Sequence, residues 1–290
     1  MNNKKIIIGT AQFGLNYGIS NISGKTGEQE VKEILQYGKK NNLNYLDTSS
    51  HYGRAETLLG KLNIANWKVT TKYKTEEILV EKEKILENLI KFIEKSKKKL
   101  KIKKIYCVLL HNPELILTRN GSELYRALQT VKSLGFISNF GYSIYNFSSL
   151  KKMCKRFKPD IIQCPYNIFD RRLITKNYFN FLRREGIEIH VRSVFLQGLL
   201  LMPFKKLPKF HRKWKNLFYK WEHWLSENKL DPVEACLNFV LQTKEIDKFV
   251  LGFNNLIHLK KILKTKVKKK IIFPKYIISN NKKLINPSLW

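Results

Sequence analysis

The sequence predicts a single-domain α/β protein of the (β/α)8 TIM-barrel type. Short apolar segments alternate with longer amphipathic segments along the 290 residues, giving eight strand–helix pairs. Such alternation is typical of a parallel sheet covered by helices. A closed barrel needs roughly 250 residues. No Gly-x-Gly-x-x-Gly follows the first strand, which disfavours an open dinucleotide-binding sheet. One domain over residues 1–290 is therefore expected, ending in a basic, irregular segment at 266–290.

The apolar periodicity assigns each element in order. Strands are predicted at residues 6–8, 43–46, 68–71, 105–110, 137–140, 161–163, 187–191 and 249–251. Helices are predicted at residues 27–40, 54–62, 78–99, 122–134, 147–157, 176–184, 232–241 and 257–263. An insertion between the seventh strand and its helix carries an aromatic helix whose apolar face includes Trp214, Phe218, Trp221 and Trp224. We expect this helix to pack on the barrel.

The chain is strongly basic, with 55 Lys and Arg against 23 Asp and Glu and a formal net charge of +32. Such a charge is compatible with binding to a polyanion. The lysines are dispersed, however, and no nucleic-acid motif accompanies them, so no specific nucleic-acid partner is predicted. A basic surface does favour anionic substrates.

Neither a membrane span nor a signal peptide is recognisable, because no apolar run approaches roughly 18 residues and the N-terminus leads directly into a strand. The cysteines have no paired spacing, which argues against a disulfide framework or a metal site. They are Cys107, Cys154, Cys164 and Cys236. A cytoplasmic protein without a metal is therefore expected.

Ionisable side chains close three successive predicted strands. Asp47, Lys72 and His111 follow the second, third and fourth strands, and Tyr52 lies in the loop after the second. Singly, each has a structural explanation, such as a helix cap or a turn. Together they favour a catalytic site, because barrel active sites lie at the carboxyl ends of the strands.

The four groups suit the protonation of a carbonyl oxygen. A tyrosine has a pKa of about 10, and a neighbouring ammonium such as that of Lys72 is expected to lower it. Asp47 would hold Lys72 by an ion pair, and His111 would donate a hydrogen bond to a substrate oxygen. Because no side chain supplies hydride, a nicotinamide cofactor is required.

Several segments resemble the aldo-keto reductase superfamily over nearly the whole chain. They are Gly9-Thr10-Ala11-Gln12-Phe13-Gly14, Asp47 to Gly53, Thr71-Lys72 and Leu110-His111-Asn112-Pro113. The resemblance implies a barrel that binds NADPH, with NADH as the alternative, and a small-molecule carbonyl substrate. It also implies Tyr52 as general acid, Lys72 and Asp47 as its tuning pair, and His111 as the donor that orients the carbonyl.

The same resemblance implies the cofactor contacts. Ser143 and Gln163 would hold the nicotinamide amide, and Arg192 occupies the place of an aromatic residue that stacks on the ring. The loop after the seventh strand would cover the pyrophosphate, and the loop after the eighth strand would meet the adenosine phosphate. The residues concerned are Ser193, Phe195, Gln197 and Gly198 in the first loop and Gly252, Asn255 and His258 in the second.

The second loop lacks the Lys-Ser and Arg clamp that the family often uses for a 2′-phosphate. His258, Asn255, Lys260 and Lys261 would replace it, so NADPH is expected to be preferred only about tenfold over NADH. The segments at 164–172 and 192–198 are similar to bacterial members associated with surface-polysaccharide biosynthesis. This implies a sugar or nucleotide-sugar substrate.

Two classes of function remain open from the sequence. The first is an NAD(P)H-dependent reductase of aldehydes or ketones. The second is a non-catalytic NADP-binding sensor or partner protein built on the same barrel. The presence of all four site residues favours the enzyme. The sequence indicates neither the oligomeric state nor the identity of the substrate.

Overall fold

Eight parallel strands close into one barrel in the computed structural model, which describes residues 3–267 and 271–290. The strands are β1 (Ile6–Gly9), β2 (Tyr45–Asp47), β3 (Lys68–Lys74), β4 (Ile105–His111), β5 (Ile137–Ser143), β6 (Ile161–Pro165), β7 (Glu188–Arg192) and β8 (Lys248–Gly252). Each strand pairs with the next one in the chain, and β8 pairs with β1. The predicted (β/α)8 barrel is therefore confirmed.

Helices of different lengths surround the barrel. They are α1 (Ala11–Gly14), α2 (Glu28–Lys40), α3 (Ala55–Lys61), α4 (Thr75–Ile78), α5 (Ile85–Leu100), α6 (Gly121–Ser133), α7 (Leu150–Arg156), α8 (Arg172–Thr175), α9 (Tyr178–Arg184), α10 (Lys215–Glu227), α11 (Pro232–Leu241), α12 (Leu256–Leu263) and α13 (Lys282–Ile285). The aromatic helix of the insertion is α10, and Trp221 and Trp224 are buried on its inner face, as predicted.

The long helix predicted at 78–99 is wrong in its first part. A short helix, α4, ends at Ile78, and a single 3-10 turn precedes α5. The apolar spacing was misleading there because Val80 is 72% exposed, whereas the buried face of α5 begins at Ile85 and continues through Leu89 and Ile93. Burial against the barrel, not helical spacing alone, sets the start of the helix.

Strand burial explains the stability of the barrel. β1 and β6 are buried along their whole length, as expected where helices cover one face and the barrel interior fills the other. Gly141 in β5 is required by the close approach of β6, because an added Cβ would lie 2.1 Å from the carbonyl oxygen of Ile161. The barrel is a packed core, so chemistry is confined to its rim.

The C-terminal segment is more ordered than the predicted irregular stretch at 266–290, of which residues 268–270 lie outside the described residues. Ile277, Leu284 and Ile285 are buried, and the Ser279 amide donates to the Phe169 carbonyl at 2.9 Å. Apolar side chains spaced between lysines thus attach the segment to the loop after β6. The local sequence pattern did not predict this packing.

Candidate active site

Strand register brings the predicted residues to one rim of the barrel. His111 pairs with Ser143, and Ser143 pairs with Gln163, so three neighbouring strands present them side by side. Asp47 is the last residue of β2. Lys72 was predicted to close the third strand but lies two residues before the end of β3, because β3 continues to Lys74 in register with β4.

Asp47 is the hub of a buried polar cluster. The Lys72 ammonium binds Asp47 Oδ1 and also donates to the Thr48 carbonyl at 2.9 Å. The Gln163 amide nitrogen donates to Asp47 Oδ2 at 2.7 Å. All three side chains are buried, so a charge-assisted pair of this kind is stable only when both partners are present. The cluster therefore fixes Lys72 rigidly.

Tyr52 lies over this cluster. The Lys72 ammonium is 5.3 Å from the centroid of the Tyr52 ring. Burial raises the pKa of Tyr52, the negative charge of Asp47 adds to the rise, and Arg192 acts in the opposite direction. The expectation that Lys72 lowers this pKa is therefore wrong: Asp47 neutralises the ammonium, and burial dominates. Tyr52 is a neutral phenol near pH 7 and carries the proton that a general acid needs.

His111 is neutral throughout the physiological range. Burial lowers its pKa to about 3, and the positive charges of Lys72 and Arg192 contribute in the same direction. A neutral imidazole can donate one hydrogen bond without carrying a charge. The pKa is consistent with a donor that orients a carbonyl and does not itself titrate.

A cleft of about 400 Å³ opens beside Tyr52 and Asp47. Most of the residues predicted to bind a cofactor line it, and they come from the ends of β7 and β8 and from the loops that follow these strands. Those lining residues are Arg192, Ser193, Phe195, Gln197, Gly198, Gly252 and His258. Ser143, Gln163 and Asn255 are not part of the lining. Two of the loops that the sequence assigned to the cofactor thus line one cavity.

The loop after β7 has a conformation set by its neighbours. Ser193 and Gln197 have positive φ angles of 59° and 55°, and Gly198 follows with 90°. The Asn167 side chain, in the loop after β6, donates to the Ser193 carbonyl at 3.0 Å. The Ile19 amide, in the loop after β1, donates to the Gln197 carbonyl at 2.9 Å. Two other loops thus hold this one over the cleft.

The residues present fit a nicotinamide dinucleotide. Gln163 Oε1 is buried and without a hydrogen-bond partner, and such an acceptor suits the N–H of a carboxamide. At Gly198 an added Cβ would lie 1.9 Å from Ser20 Oγ, so only glycine allows the loops to meet there.

Asn255 has a structural role that the sequence did not indicate. It is the N-cap of α12, and its side chain accepts from the His258 amide at 2.9 Å. Lys261 lines the cleft with His258, but its ammonium is 3.1 Å from a carboxylate oxygen of Asp231, which also lines the cleft. Burial and Lys261 lower the pKa of His258. The positive charge on this side is therefore smaller than the sequence implied.

Sequence reasoning missed several residues of the cleft. Gln12 lies in a motif that the sequence singled out but without a role, and Tyr17, Ser20 and Asn21 come from the long loop after β1. Asp231 caps α11 by accepting from the Val233 amide at 2.9 Å. Polar loop residues of this kind carry no periodic signal, and only the folded loops bring them to the cavity.

A β/α barrel that combines a buried Asp–Lys pair, an adjacent tyrosine and a cleft for a dinucleotide defines an oxidoreductase class. The chain matches the Aldo/keto reductase family over residues 5–270. It therefore belongs to the aldo/keto reductase family and is an oxidoreductase of that type, a family that uses NAD(P)H. No group of His, Cys, Asp and Glu able to hold a metal, and no helix able to cross a membrane, occurs among residues 3–267 and 271–290.

Individual relatives are distant. D-arabinose 1-dehydrogenase of Saccharomyces cerevisiae is 25% identical over 198 residues, or 62% of this chain. The match covers 58% of that relative, so little more than half of its length is shared. The holo form of aldo-keto reductase AKR11C1 from Bacillus halodurans is 19% identical with a TM-score of 0.71, covering 92% of this chain and 88% of that one. PA4992 from Pseudomonas aeruginosa is 20% identical with a TM-score of 0.65, covering 89% and 87%. The two structures support the fold.

Proposed function

We propose that this protein reduces an aldehyde or ketone to an alcohol with NAD(P)H. The observation that carries the proposal is the buried Asp47–Lys72 pair lying 5.3 Å from the ring centroid of Tyr52, at the edge of the cleft. Tyr52 would protonate the carbonyl oxygen, and Lys72 and Asp47 would fix its position and environment. His111 would donate a hydrogen bond to the same oxygen.

The nicotinamide cofactor, when bound, supplies the hydride. Gln163 would receive the carboxamide through its free Oε1, with Ser143 beside it in register. The loop containing Ser193, Phe195, Gln197 and Gly198 would close over the pyrophosphate, and Gly252 and His258 would face the adenosine portion. Asn255 would act through α12, which it caps.

The substrate that we propose is a hydroxylated carbonyl compound such as a sugar or nucleotide-sugar. Two supports exist: the relative named D-arabinose 1-dehydrogenase, and the polar side chains around His111. His51 pairs with Glu77 at 3.4 Å, and Asn112 donates to Glu76. Polar groups on exposed loops suit a substrate with many hydroxyls. A place in surface-polysaccharide biosynthesis and a cytoplasmic location remain predictions.

Replacing Tyr52 by Phe tests the proposed acid. Because the phenol would act only in the chemical step, we expect kcat to fall by roughly 10²–10⁴-fold while NADPH affinity changes little. Steady-state reduction of a panel of aldoses and simple aldehydes gives kcat, and calorimetric titration with NADPH gives the affinity for the cofactor. A variant that retains most of its kcat would remove Tyr52 from this role.

Single-turnover kinetics distinguish the reductase from the alternative function, a non-catalytic sensor that binds NADP. Protein loaded with one equivalent of NADPH is mixed with excess carbonyl compound, and absorbance at the nicotinamide band is followed. An enzyme oxidises the bound cofactor in a rapid phase that Tyr52→Phe abolishes. A sensor binds the cofactor but shows the same slow oxidation in wild type and variant.

A further inference from the structure

Arg192 carries a positive charge that no carboxylate offsets. It ends β7 and is half-buried. Its guanidinium stacks on Tyr145 with Cζ 3.8 Å from the ring centroid, donates to the Ile144 carbonyl at 3.0 Å and contacts Ser193 Oγ at 3.5 Å. Within residues 3–267 and 271–290 no carboxylate oxygen lies within 4.0 Å of it. An aromatic face and neutral acceptors hold the group but do not cancel its charge.

The groups around Arg192 leave one net positive charge. Asp47 and Lys72 form an ion pair and cancel. His111 is neutral, because burial lowers its pKa to about 3, and Tyr52 is neutral, because burial raises its pKa. The balance of this buried cluster is therefore +1, and Arg192 supplies it.

Two other carboxylates in the neighbourhood are already engaged. Asp170, in the loop after β6, pairs at 2.7 Å with Arg172, whose guanidinium also donates to the Tyr145 carbonyl at 2.9 Å. Asp231 caps α11 and pairs with Lys261. Neither carboxylate is available to Arg192.

The uncompensated charge lies where the proposed cofactor changes its own charge. Hydride and proton must reach the two atoms of one carbonyl group, so a nicotinamide ring that works with Tyr52 must lie beside it. Arg192 lines the same cleft and acts electrostatically on Tyr52. A reduced nicotinamide ring is neutral, whereas an oxidised ring carries one positive charge. The site therefore repels only the oxidised ring.

We propose that Arg192 makes the cleft select the oxidation state of the cofactor, binding the reduced form at least tenfold more tightly than the oxidised form. The inference rests on the proposed function. At an effective dielectric constant of about 20, two unit charges change an equilibrium tenfold or more out to a separation of about 12 Å, so it is sufficient that both lie in the same cleft. Each factor of ten raises the two-electron potential of the bound couple by about 30 mV. Oxidised cofactor is thereby released more readily than reduced cofactor, and bound reduced cofactor becomes a correspondingly weaker hydride donor.

The test is isothermal calorimetry of the full-length protein with NADPH and with NADP⁺. The quantity compared is the dissociation constant of NADP⁺ divided by that of NADPH, which a general loss of affinity leaves unchanged. It is measured for wild type, Arg192→Lys and Arg192→Gln. We expect a ratio of at least ten in wild type and a similar ratio in Arg192→Lys, which keeps the charge. In Arg192→Gln the ratio should fall about tenfold.

A control is needed because NADPH carries one more negative charge than NADP⁺, so the basic surface as a whole also favours it. Lys98→Gln, on an exposed face of α5, removes one surface charge and should leave the ratio unchanged. The wild-type ratio should also persist in roughly 0.5 M salt, because the Arg192 charge is half-buried whereas the charges of exposed lysines are screened. A ratio that collapses in salt overturns the role of Arg192.

Two outcomes separate this inference from the proposed function. Equal binding of NADPH and NADP⁺ by wild type, or an identical high ratio in Arg192→Gln, overturns the selection by Arg192 and leaves the reductase activity standing. Failure of wild type to bind either form overturns the proposed function, and the inference with it.

Discussion

At the scale of single residues, the preference that we propose for NADPH over NADH takes account of a carboxylate that the sequence did not reveal. Asp231 pairs with Lys261, and both line the cleft beside His258. We propose that NADPH is preferred, by about tenfold, because a positive charge remains when Lys260 and Lys261 are counted against Asp231. The preference is small because the pair is largely exposed and because no arginine offers a bidentate fit.

Asp231→Asn is expected to strengthen NADPH binding about threefold to tenfold with little change for NADH, since Asn still caps α11 but no longer holds Lys261 or repels a 2′-phosphate. Fluorescence titration with both cofactors measures this. Glu227→Gln, which removes an exposed carboxylate from α10, is the matched control. An unchanged ratio of affinities in Asp231→Asn would place the phosphate elsewhere.

The same titration as a function of pH tests His258. Its pKa is lowered by burial and by Lys261, so the imidazole gains its charge only below its ordinary value of about 6.5. A gain in NADPH preference should therefore begin below that pH, and His258→Ala should abolish it. A preference that is already rising between pH 8 and 7 would identify another group as the titrating one.

How far the site could be predicted differs from residue to residue. The positions of Asp47 and His111 at the rim could be predicted because each follows a clear apolar run, and a barrel brings the carboxyl ends of its strands to one rim. The bond from Gln163 to Asp47 joins residues 116 apart in sequence and leaves no local pattern. The pKa of Tyr52 was predicted in the wrong direction because burial, which decides it, is a property of the folded rim.

At the scale of elements, a buried carboxylate joins a helix to the strand that carries Lys72. Glu56 of α3 accepts from Thr71 of β3 and Ser96 of α5 and is 1% exposed. Glu56→Ala is expected to lower the free energy of unfolding by about 2–4 kcal/mol, because two buried hydroxyls lose their acceptor and a cavity remains. The urea midpoint measures the loss.

Glu56→Gln serves as the matched variant. It retains an acceptor for both hydroxyls and loses only the partly exposed contact with Lys99, for which we expect a cost of about 1 kcal/mol or less. If Glu56→Ala and Glu56→Gln destabilise equally, the charge and not the hydrogen bonding holds α3 to the barrel.

Element type was predictable where burial and periodicity coincide, as in α2, whose apolar residues all face the barrel. It failed between Ile78 and Ile85, where Val80 is exposed and the chain leaves α4 through a 3-10 turn before the buried face of α5 begins. The short helices α4 and α8, each of four residues, are too brief to show a period at all.

At the scale of the whole molecule, the net charge of +32 acts as a diffuse field. We expect DNA binding to be weak, independent of sequence and lost as salt rises, because the basic residues are dispersed and no recognition element accompanies them. Anisotropy of a labelled duplex and its scrambled version at low and physiological salt measures this. Nanomolar binding to one sequence alone would contradict the expectation.

The bond between the Ile19 amide and the Gln197 carbonyl has a consequence for rates. It ties the loop after β1 to the loop after β7 across the cleft, with Gly198 lying against Ser20. If the proposed dinucleotide binds beneath this tie, its entry and exit must break the bond, so we expect both to be slower than diffusion and to slow turnover. Stopped-flow mixing with NADPH should then show a unimolecular phase that saturates with concentration and that Ser20→Gly accelerates.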